Sequence, residues 1–384
     1  MEERTINPYA YWLSCVKGVG NVTIKALMES VSGAEEVYNM SEEEICMCLV
    51  DKLRSNNIAV SKACSIEVAK NCDPLEEAEK LKEKGIGFVC QEDSWFPKKL
   101  RDIPDSPYAL YYKGELPPED IPAVAIIGSR NCSGYGREQA RIFAERLAER
   151  GIAVISGMAR GVDGIAGKAA VVSGGRSYAV LGCGVDVVYP MDNKELYDLL
   201  AKKGGLLSEN RPGTHPRASL FPRRNRLISG LADAVLVIEA RRRSGTVITV
   251  DAALEQGREI FALPGRVSDA LSDGCNVLIA QGAGIACSPD TIIEHFFGVS
   301  DSGTDLYEKK RKQRNRRRDE LSGMEAVLFD ALGCGDIMEM DFLIGRVESI
   351  LGKHIDAEEF TACMMGLQMK GLAEEIGIGH YRGI

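Results

Sequence analysis

Six short apolar segments alternate with amphipathic segments between residues 124 and 298, and this alternation constrains the fold more than any other feature. The apolar segments read VAIIG, IAVISG, SYAVLG, LLSE, AVLVIEA and EIFALPG. Between the first two lies REQARIFAERLAERG, which places Ile142, Phe143 and Leu147 on one helical face. Near-continuous apolar strands separated by helices are typical of a parallel sheet covered on both faces. We therefore predict an α/β fold with a Rossmann-like doubly wound parallel sheet over residues 124–298.

The segment before this sheet is predicted to hold a small helical domain over residues 1–74, of the SAM or helix-hairpin-helix kind. Its short apolar-periodic stretches are separated by polar caps, and Ser41 precedes Glu44 as in a capping box. The stretch VKGVGNVTIKAL (16–27) has a Gly-x-Gly turn before a helix and resembles a helix-hairpin-helix element, whose glycine amides can touch a nucleic-acid phosphate. A tight turn within a helical domain explains this stretch as well.

Three further segments complete the predicted organisation. Residues 75–123 are rich in proline, which opposes a long helix, so we predict an extended bridge that packs on the next domain. Residues 299–320 form a basic linker, whose run at 308–320 is too charged to fold alone and either links domains or touches DNA. Residues 321–384 suggest three helices and a short strand pair, the outline of a winged helix. That domain is acidic, which suits a protein or regulatory contact better than reading of duplex DNA.

The composition of the chain argues against several classes of function. The formal net charge of −9 argues against coating of duplex DNA by bulk electrostatics, although a local basic groove is compatible with it. The 384 residues contain no apolar stretch of about 18 residues, and the N-terminal residues lack a secretory layout, so we expect a cytoplasmic protein without a membrane partner. The 12 cysteines are scattered without a CxxC pair, as expected for reduced thiols rather than a zinc site.

Nucleotide and catalytic motifs are missing from the predicted sheet. The stretch GVDGIAGKA lacks the P-loop spacing and hydroxyl, while GSRNCSGYG and LGCGVDVV both depart from the dinucleotide fingerprint. The four histidines lie at positions 215, 295, 354 and 380, outside any recognisable nucleophile or metal context. We therefore predict neither a cofactor nor a metal, and among enzymes the residues alone leave open a hydrolase with paired carboxylates.

Glycines, arginines and a few other polar residues follow the predicted strands. In an open parallel sheet these positions lie along the one edge that binds ligands. The candidate DNA-binding residues are Gly128, Ser129, Arg130, Gly157, Arg160, Asn193, Lys194, Phe221, Arg224, Asn225, Arg226, Ser244, Gly245 and Thr246. Turn amides at helix N-termini together with guanidinium groups can hold several phosphates in a row.

A string of phosphates is what single-stranded nucleic acid presents, and Phe221 is available to stack on a base. The residues predict sequence-independent binding of a single-stranded nucleic acid. The cations that we expect to pair with successive phosphates are Arg130, Arg160, Arg224 and Arg226.

Several motifs in register closely resemble the DNA-processing protein A family, also called Smf. They read AIIGSR, SGMARGVDGIA, AVLGCGVDVVYP, FPRRNRLISGLAD, EARRRSGTVITVDAALEQGREIFALPG and GCNVLIAQGA. The resemblance covers the whole Rossmann-like domain and, more loosely, the two flanking domains. The Gly-Ser-Arg motif of the family falls on Gly128 to Arg130, with Arg130 the implied phosphate ligand. The Phe-Pro-x-Arg-Asn-Arg motif begins at Phe221, and the Arg-Ser-Gly-Thr turn begins at Arg243.

The resemblance implies a binding protein rather than an enzyme, one that binds and protects single-stranded DNA during natural transformation and helps to load the RecA recombinase onto it. It also implies a homodimer formed through the Rossmann-like domain. One departure is visible, because Gly167 stands where the family pattern usually has a histidine in the helix after the second strand. The surface that contacts the recombinase is not visible in the sequence.

Two other functions are alternatives to single-stranded DNA binding. A nucleotide phosphoribohydrolase of the same superfamily would need a catalytic glutamate in a Gly-Gly-x-Gly-Thr-x-x-Glu turn, and Thr249 stands at that position. A structural protein whose sheet edge binds nothing would leave the clustered arginines unexplained. Neither rival accounts for the whole set of strand-end residues.

Overall fold

The computed structural model describes residues 5–298 except 54, and residues 317–383 except 319, 322, 333–336 and 378. The predicted linker at 299–320 lies outside the described residues, apart from 317, 318 and 320. None of the described helices is both long and apolar enough to span a bilayer.

A nine-stranded sheet is the centre of the described structure, with the strand order β1-β2-β6-β5-β4-β3-β7-β8-β9. Its strands are β1 (Gly87–Cys90), β2 (Ala109–Gly114), β3 (Ala123–Ile127), β4 (Ala153–Ser156), β5 (Ser177–Val180), β6 (Gly205–Ser208), β7 (Ala234–Val237), β8 (Glu259–Ala262) and β9 (Gly284–Ile285). The seven strands from β3 to β9 pair parallel with one another, and only the outer partner of β6, the strand β2, is antiparallel to it. The prediction of a Rossmann-like parallel sheet is confirmed.

The chain reverses its direction of travel across the sheet at β3. From β3 it proceeds outward through β4 and β5 to β6, and then returns to place β7 on the other side of β3. Such a switch point opens a crevice at the carboxyl ends of the two diverging strands. The fold therefore prepares a ligand site at the ends of β3 and β7.

Helices cover both faces of this parallel sheet. They are α7 (Lys98–Arg101), α8 (Gly134–Glu149), α9 (Val162–Val172), α10 (Lys194–Lys203), α11 (Leu220–Leu231), α12 (Gly245–Glu255), α13 (Asp273–Ala280) and α14 (Pro289–Phe297). Alternate residues of β3 serve different cores: Val124 packs with α8 and α9, whereas Ala125 packs with α11 and α12. The two-residue period of a strand thus explains why the predicted strands are apolar throughout.

The proline-rich bridge contributes β1 and β2, two antiparallel strands that extend the sheet beyond β6. Val89 and Leu110 point to the core beneath α11, whereas Phe88 and Tyr111 point to the N-terminal helices. Only a short strand near β1 is visible in the sequence, because prolines and charged residues flank β2 closely. The bridge is therefore an integral edge of the sheet as well as a covering segment.

The N-terminal helices pack on the outer face of these edge strands. They are α1 (Pro8–Cys15), α2 (Asn21–Met28), α3 (Ala34–Asn39), α4 (Glu42–Leu53), α5 (Asn56–Ala69) and α6 (Pro74–Glu83). The expected capping box is present, since the backbone N–H of Ser41 donates to Glu44 at 2.7 Å and that of Glu44 donates to the Ser41 hydroxyl at 3.3 Å. Gly18, with φ of +81°, makes the Gly-x-Gly turn between α1 and α2.

The C-terminal residues form a separate core around Phe329, Leu343 and Phe360. Its helices are α15 (Gly323–Leu332), α16 (Met340–Leu351) and α17 (Ala357–Met369), and its strands are β10 (Ile337–Glu339), β11 (Ala373–Gly377) and β12 (His380–Gly383). The three helices and the terminal strand pair are as predicted, and β10 pairs antiparallel with β12 as a third strand.

Candidate functional site

A cavity of about 590 Å³ lies at the predicted switch point, between the ends of β3 and β7 and the helices α11 and α12. The predicted site residues that line it are Gly128, Ser129, Arg130, Phe221, Arg224, Asn225, Ser244, Gly245 and Thr246. Residues that are more than 100 positions apart in sequence thus meet at one sheet edge, as the parallel topology requires.

The turn that follows β3 is held in place through its backbone. The N–H of Ser129 donates to the carbonyl of Glu239 at 2.7 Å, and the carbonyl of Ser129 accepts from the N–H of Val162 at 3.2 Å. Gly161, with φ of +72°, lies against the carbonyls of Ser129 and Arg130, where a Cβ atom would be well inside van der Waals contact. The exposed side chain of Arg130 therefore projects from a fixed backbone.

The N-terminus of α8 is already filled by a carboxylate of the protein itself. Glu239 is 1% exposed and accepts a hydrogen bond at 2.9 Å from the N–H of Ser133, the residue that caps α8. Its carboxylate packs directly on Gly136, where a Cβ atom would collide with it. In a nucleotide-binding Rossmann fold a phosphate takes the place at this helix N-terminus. The glycines of GSRNCSGYG thus accommodate Glu239 rather than an external phosphate.

This arrangement makes a testable prediction for a double-mutant cycle. We expect Gly136→Ala alone to destabilise the protein by about 1–3 kcal/mol, because the added methyl overlaps the Glu239 carboxylate. We expect Glu239→Ala alone to cost about 1–3 kcal/mol, since it leaves the buried N–H of Ser133 without its acceptor. The double variant should lose at least about 0.5 kcal/mol less than the sum in urea unfolding. Additive losses would contradict the contact.

The N-terminus of α12, in contrast, is open to the cavity. Among the described residues no side chain caps the first turn of α12, and that turn holds no acidic residue. The hydroxyl of Ser244 is buried there and has no hydrogen-bond partner in the described part of the chain. Free amides at a helix N-terminus attract an anion. The first turn of α12, rather than that of α8, thus offers the unoccupied backbone donors that an anion in this cavity could use.

Two aromatic rings form the apolar wall of the cavity. The rings of Phe221 and Tyr189 are 5.5 Å apart between centroids and tilted by 36°. The guanidinium carbon of Arg130 lies 5.7 Å from the centre of the Phe221 ring, and that of Arg224 lies 6.0 Å from it. Cations at this distance from a ring are attracted by its negative face. Phe221 thereby connects the aromatic wall to the charged part of the site.

Arg224 is buried and hydrogen-bonded to the backbone, and it is not a cation of the protein surface. It is 5% exposed, and its Nη1 donates to the carbonyl of Val180. Burial lowers the pKa of Arg224 to about 10, so that the guanidinium keeps its charge at neutral pH. The neighbouring Asp163 carboxyl has its pKa raised by burial, an effect that Arg224 and the backbone N–H groups of Gly157 and Gly128 oppose. The positive charge of Arg224 thus lies beneath the cavity floor.

The remaining predicted residues lie outside the cavity lining. Gly157 packs against the Arg224 guanidinium and donates its N–H to Asp163 at 2.9 Å. Asn193 donates to the carbonyls of Met158 and Ala159, each at 3.0 Å. Both residues therefore hold the loop after β4 in place.

Three predicted cations are engaged by carboxylates. Arg226, whose side chain is 12% exposed, pairs with Asp105 at 2.8 Å and Glu209 at 2.7 Å. Lys194 pairs with Asp198 at 2.6 Å on the exposed face of α10, and Arg160 pairs with Asp192 at the surface. Arg224 is buried and Arg226 is paired with two carboxylates, and the pairing of these two guanidinium groups with successive phosphates stays a prediction.

Sequence reasoning missed Tyr189, Asp163 and Glu239. Glu239 follows β7 directly, so its position at a strand end was the available signal. Tyr189 stands within AVLGCGVDVVYP, but no residue pattern marks it as a partner of Phe221. Gly167, where the resemblance leads one to expect histidine, faces Leu196 and Ser177, with the nearest atom 3.5 Å from an added Cβ. Neither of those two residues lines the cavity.

The fold and the cavity together define a Rossmann-like protein with a candidate ligand site at its sheet edge. Residues 87–297 match the model of the family described as DNA recombination-mediator protein A. The chain therefore belongs to the DNA recombination-mediator protein A family.

Individual relatives agree with this membership. The chain is 43% identical over 204 residues to the DNA processing protein DprA of Streptococcus pneumoniae, covering 53% of this chain and 72% of that protein. It is 45% identical over 221 residues to protein Smf of Escherichia coli, covering 57% of this chain and 59% of that protein.

Two solved structures align with this chain over nearly their whole length, a larger share than in the two sequence relatives. The X-ray structure of DNA processing protein A from Streptococcus pneumoniae aligns with a TM-score of 0.64 at 34% identity, covering 75% of this chain and 98% of that one. The protein of the same name from Helicobacter pylori, whose structure was described for its single-stranded DNA binding mode, aligns with a TM-score of 0.51 at 30% identity. That alignment covers 55% of this chain and 95% of the Helicobacter chain.

Proposed function

We propose that this protein binds single-stranded DNA independently of sequence, along the carboxyl edge of its parallel sheet. The observation that carries the proposal is the convergence of an exposed arginine, an uncapped helix N-terminus and an aromatic pair on one cavity. A relative from Helicobacter pylori with 30% identity is described as a single-stranded DNA binder, which supports the same conclusion.

The phosphates of the strand would be held by Arg130 and by the first turn of α12. Arg130 offers a planar fork of donors, and the amides of Ser244, Gly245 and Thr246 lie at the positive end of the helix dipole. The carboxylate on the cavity lining is that of Asp163, which is buried and accepts from backbone amides. An anion that enters the cavity therefore meets donors rather than an exposed negative charge.

The bases would stack on the aromatic pair. A stacking surface tolerates every base, because each base has a π face, whereas base-specific recognition needs donors and acceptors aimed at base edges. Tyr189 is 42% exposed, so its ring is accessible to an incoming base. This combination of a phosphate cradle and a stacking wall favours binding without sequence preference.

The biological steps that go beyond DNA binding rest on family membership. We propose that the bound strand is protected and passed to the RecA recombinase during natural transformation, in the cytoplasm. We propose further that the protein acts as a homodimer through its Rossmann-like domain, which would join two such sites and raise the apparent affinity. The match of residues 87–297 to a recombination-mediator family supports these steps.

Substitution of Arg130 tests the proposed site. We expect Arg130→Ala to weaken binding of a labelled oligo-dT strand by tenfold or more, because a charge-assisted hydrogen bond contributes roughly 1.5–3 kcal/mol. The log–log salt slope should become shallower by about 0.7, the value for one phosphate on a single strand. Fluorescence anisotropy at two salt concentrations measures both quantities.

The matched control for that measurement is Arg150→Ala. Arg150 is exposed at the end of α8, which is the opposite end of the sheet from the cavity. We expect this control to bind oligo-dT as the unmodified protein does. An equal loss in the two variants, or a changed base preference at constant overall affinity in Arg130→Ala, would contradict the phosphate role of Arg130.

A further inference from the structure

A second cavity, of about 320 Å³, lies between the N-terminal helices and the sheet. Its walls come from the turn before α2, from β2, from the segment after β6 and from α11. It therefore lies at the same carboxyl edge of the sheet as the first cavity, but on the side of β5 and β6. The Gly-x-Gly turn singled out in the sequence forms part of its wall, through Val19 and Gly20.

The two cavities lie on opposite flanks of α11. Leu220, Arg223 and Leu227 line the second cavity, whereas Phe221, Asn225 and Ile228 line the first. Residues spaced by three, four or seven positions share a helix face, which explains the division. Arg224 lines both cavities, and its Nε is buried without a hydrogen-bond partner among the described residues. One buried positive charge is therefore common to the two cavities.

Donors predominate in the second cavity. The helix α2 begins with Gly20 as its cap, and within the described structure no side chain caps it and its first turn holds no acidic residue. Arg223 is exposed on the facing helix and has no ion pair within the described part of the chain. An uncapped helix N-terminus and an arginine on opposite walls again form a site for an anion.

The Glu209 carboxylate of this cavity is held by two neighbouring side chains. Glu209 accepts from the Asn21 side chain at 2.5 Å and pairs with Arg226 at 2.7 Å. Arg211, another lining residue, donates to the carbonyls of Ser14 and Val16 at 3.0 and 2.8 Å. These bonds tie the turn before α2 to the sheet, so the uncapped amides of α2 are held in position.

We propose that the second cavity is a further DNA-binding subsite, and that a bound single strand crosses α11 from the first cavity to reach it. In this subsite Arg223 and the first turn of α2 bind phosphate. The inference rests on the proposed function of the first cavity, and a repeating polyanion is the ligand that fits two adjacent anion sites joined by one buried arginine. The N-terminal helical domain thereby takes a direct part in DNA binding.

Oligonucleotide length separates the two subsites experimentally. A strand of about four nucleotides fits one cavity, whereas a strand of about 16 can occupy both, since nucleic-acid grooves of this kind take about 4–16 nucleotides. In the full-length protein we expect Arg223→Ala to bind the short oligo-dT normally. The same variant should bind the long one about tenfold more weakly, as expected for the loss of one charge-assisted contact. Arg130→Ala should weaken the binding of both lengths.

Val22→Glu tests the same subsite with a substitution that should not destabilise the folded protein. Val22 is 73% exposed in the first turn of α2, where a negative charge favours the helix dipole but repels phosphate. We expect an unchanged or raised melting temperature together with about two- to fivefold weaker binding of the long strand. The matched control is Val68→Glu, which places the same charge at a 63% exposed position on α5 rather than in the first turn of α2. It should bind both lengths normally.

The outcomes distinguish this inference from the function on which it rests. In one outcome, Arg223→Ala and Val22→Glu bind the long strand as tightly as Val68→Glu does, while Arg130→Ala binds it weakly. In that case the second subsite is wrong, and the first cavity still binds DNA. If Arg223→Ala and Val22→Glu lose the same affinity for the short strand as for the long one, the proposed path of the strand across α11 is wrong. If the unmodified protein binds neither length, the proposed function and the inference both fail.

Discussion

Arg224→Ala is expected to lower the free energy of unfolding by about 3–5 kcal/mol, the usual cost of leaving a buried charge without its compensating partner. Asp163 is 7% exposed and its carboxyl depends on the positive charge of Arg224, since burial alone raises its pKa. The substitution also leaves the carbonyl of Val180 without a donor and opens space beside Gly157. Urea unfolding at neutral pH measures the loss.

The preceding residue on the same helix, Arg223, supplies the control for this loss. Arg223 is exposed, so Arg223→Ala should change the free energy of unfolding by less than about 0.5 kcal/mol. Adding Asp163→Asn to Arg224→Ala removes the uncompensated carboxylate and should recover part of the lost stability. A loss below about 1 kcal/mol in Arg224→Ala, or no recovery in the double variant, would show that the buried charges are not coupled.

The parallel sheet could be predicted because its strands are buried on both faces and therefore leave a continuous apolar signal. Each of the six apolar segments corresponds to one strand, from β3 to β8. The edge strands β1 and β2 could be predicted only in part, because prolines and charged residues surround them in the sequence. Their pairing also depends on packing against the N-terminal helices. The two-residue strand β9 is too short to produce a pattern.

The position of the candidate site could also be predicted, since the carboxyl edge of a parallel sheet follows from topology alone. The role of each arginine could not. Arg224 and Arg226 are two residues apart, yet Arg224 is buried and donates to the carbonyl of Val180, whereas Arg226 pairs with Asp105 and Glu209. These partners come from distant parts of the chain. Whether an arginine on a helix faces solvent, core or a partner is decided by tertiary packing.

Glu239 explains why glycine motifs alone were ambiguous in this family. A glycine-rich turn after the first parallel strand permits any carboxylate or phosphate to approach the helix N-terminus. In this protein the approaching group is a side chain that is 1% exposed. Since α8 is thereby satisfied from within, the proposed anion site lies at α12 instead. The fold is Rossmann-like, and a side chain fills the position at which a nucleotide-binding member of this fold holds phosphate.

Gly161→Ala is expected to lower the free energy of unfolding by at least about 3 kcal/mol. Gly161 has φ of +72° and ψ of −132°, a conformation that is costly for any residue with a side chain. An added Cβ atom would also overlap the carbonyl oxygens of Ser129 and Arg130. Since that overlap can be relieved only by moving the turn that carries Arg130, we expect the affinity for oligo-dT to fall as it does in Arg130→Ala.

Gly174→Ala isolates the contribution of the overlap. Gly174 also has a positive φ, of +85°, but no atom lies within 4 Å of the position that its Cβ would take. Its substitution should cost only about 1–2 kcal/mol, from backbone conformation, and should leave DNA affinity unchanged. The difference between the two variants therefore measures how firmly the loop before α9 holds the Ser129–Arg130 turn. Equal losses of stability with normal DNA binding in both would mean that Arg130 is positioned by other contacts.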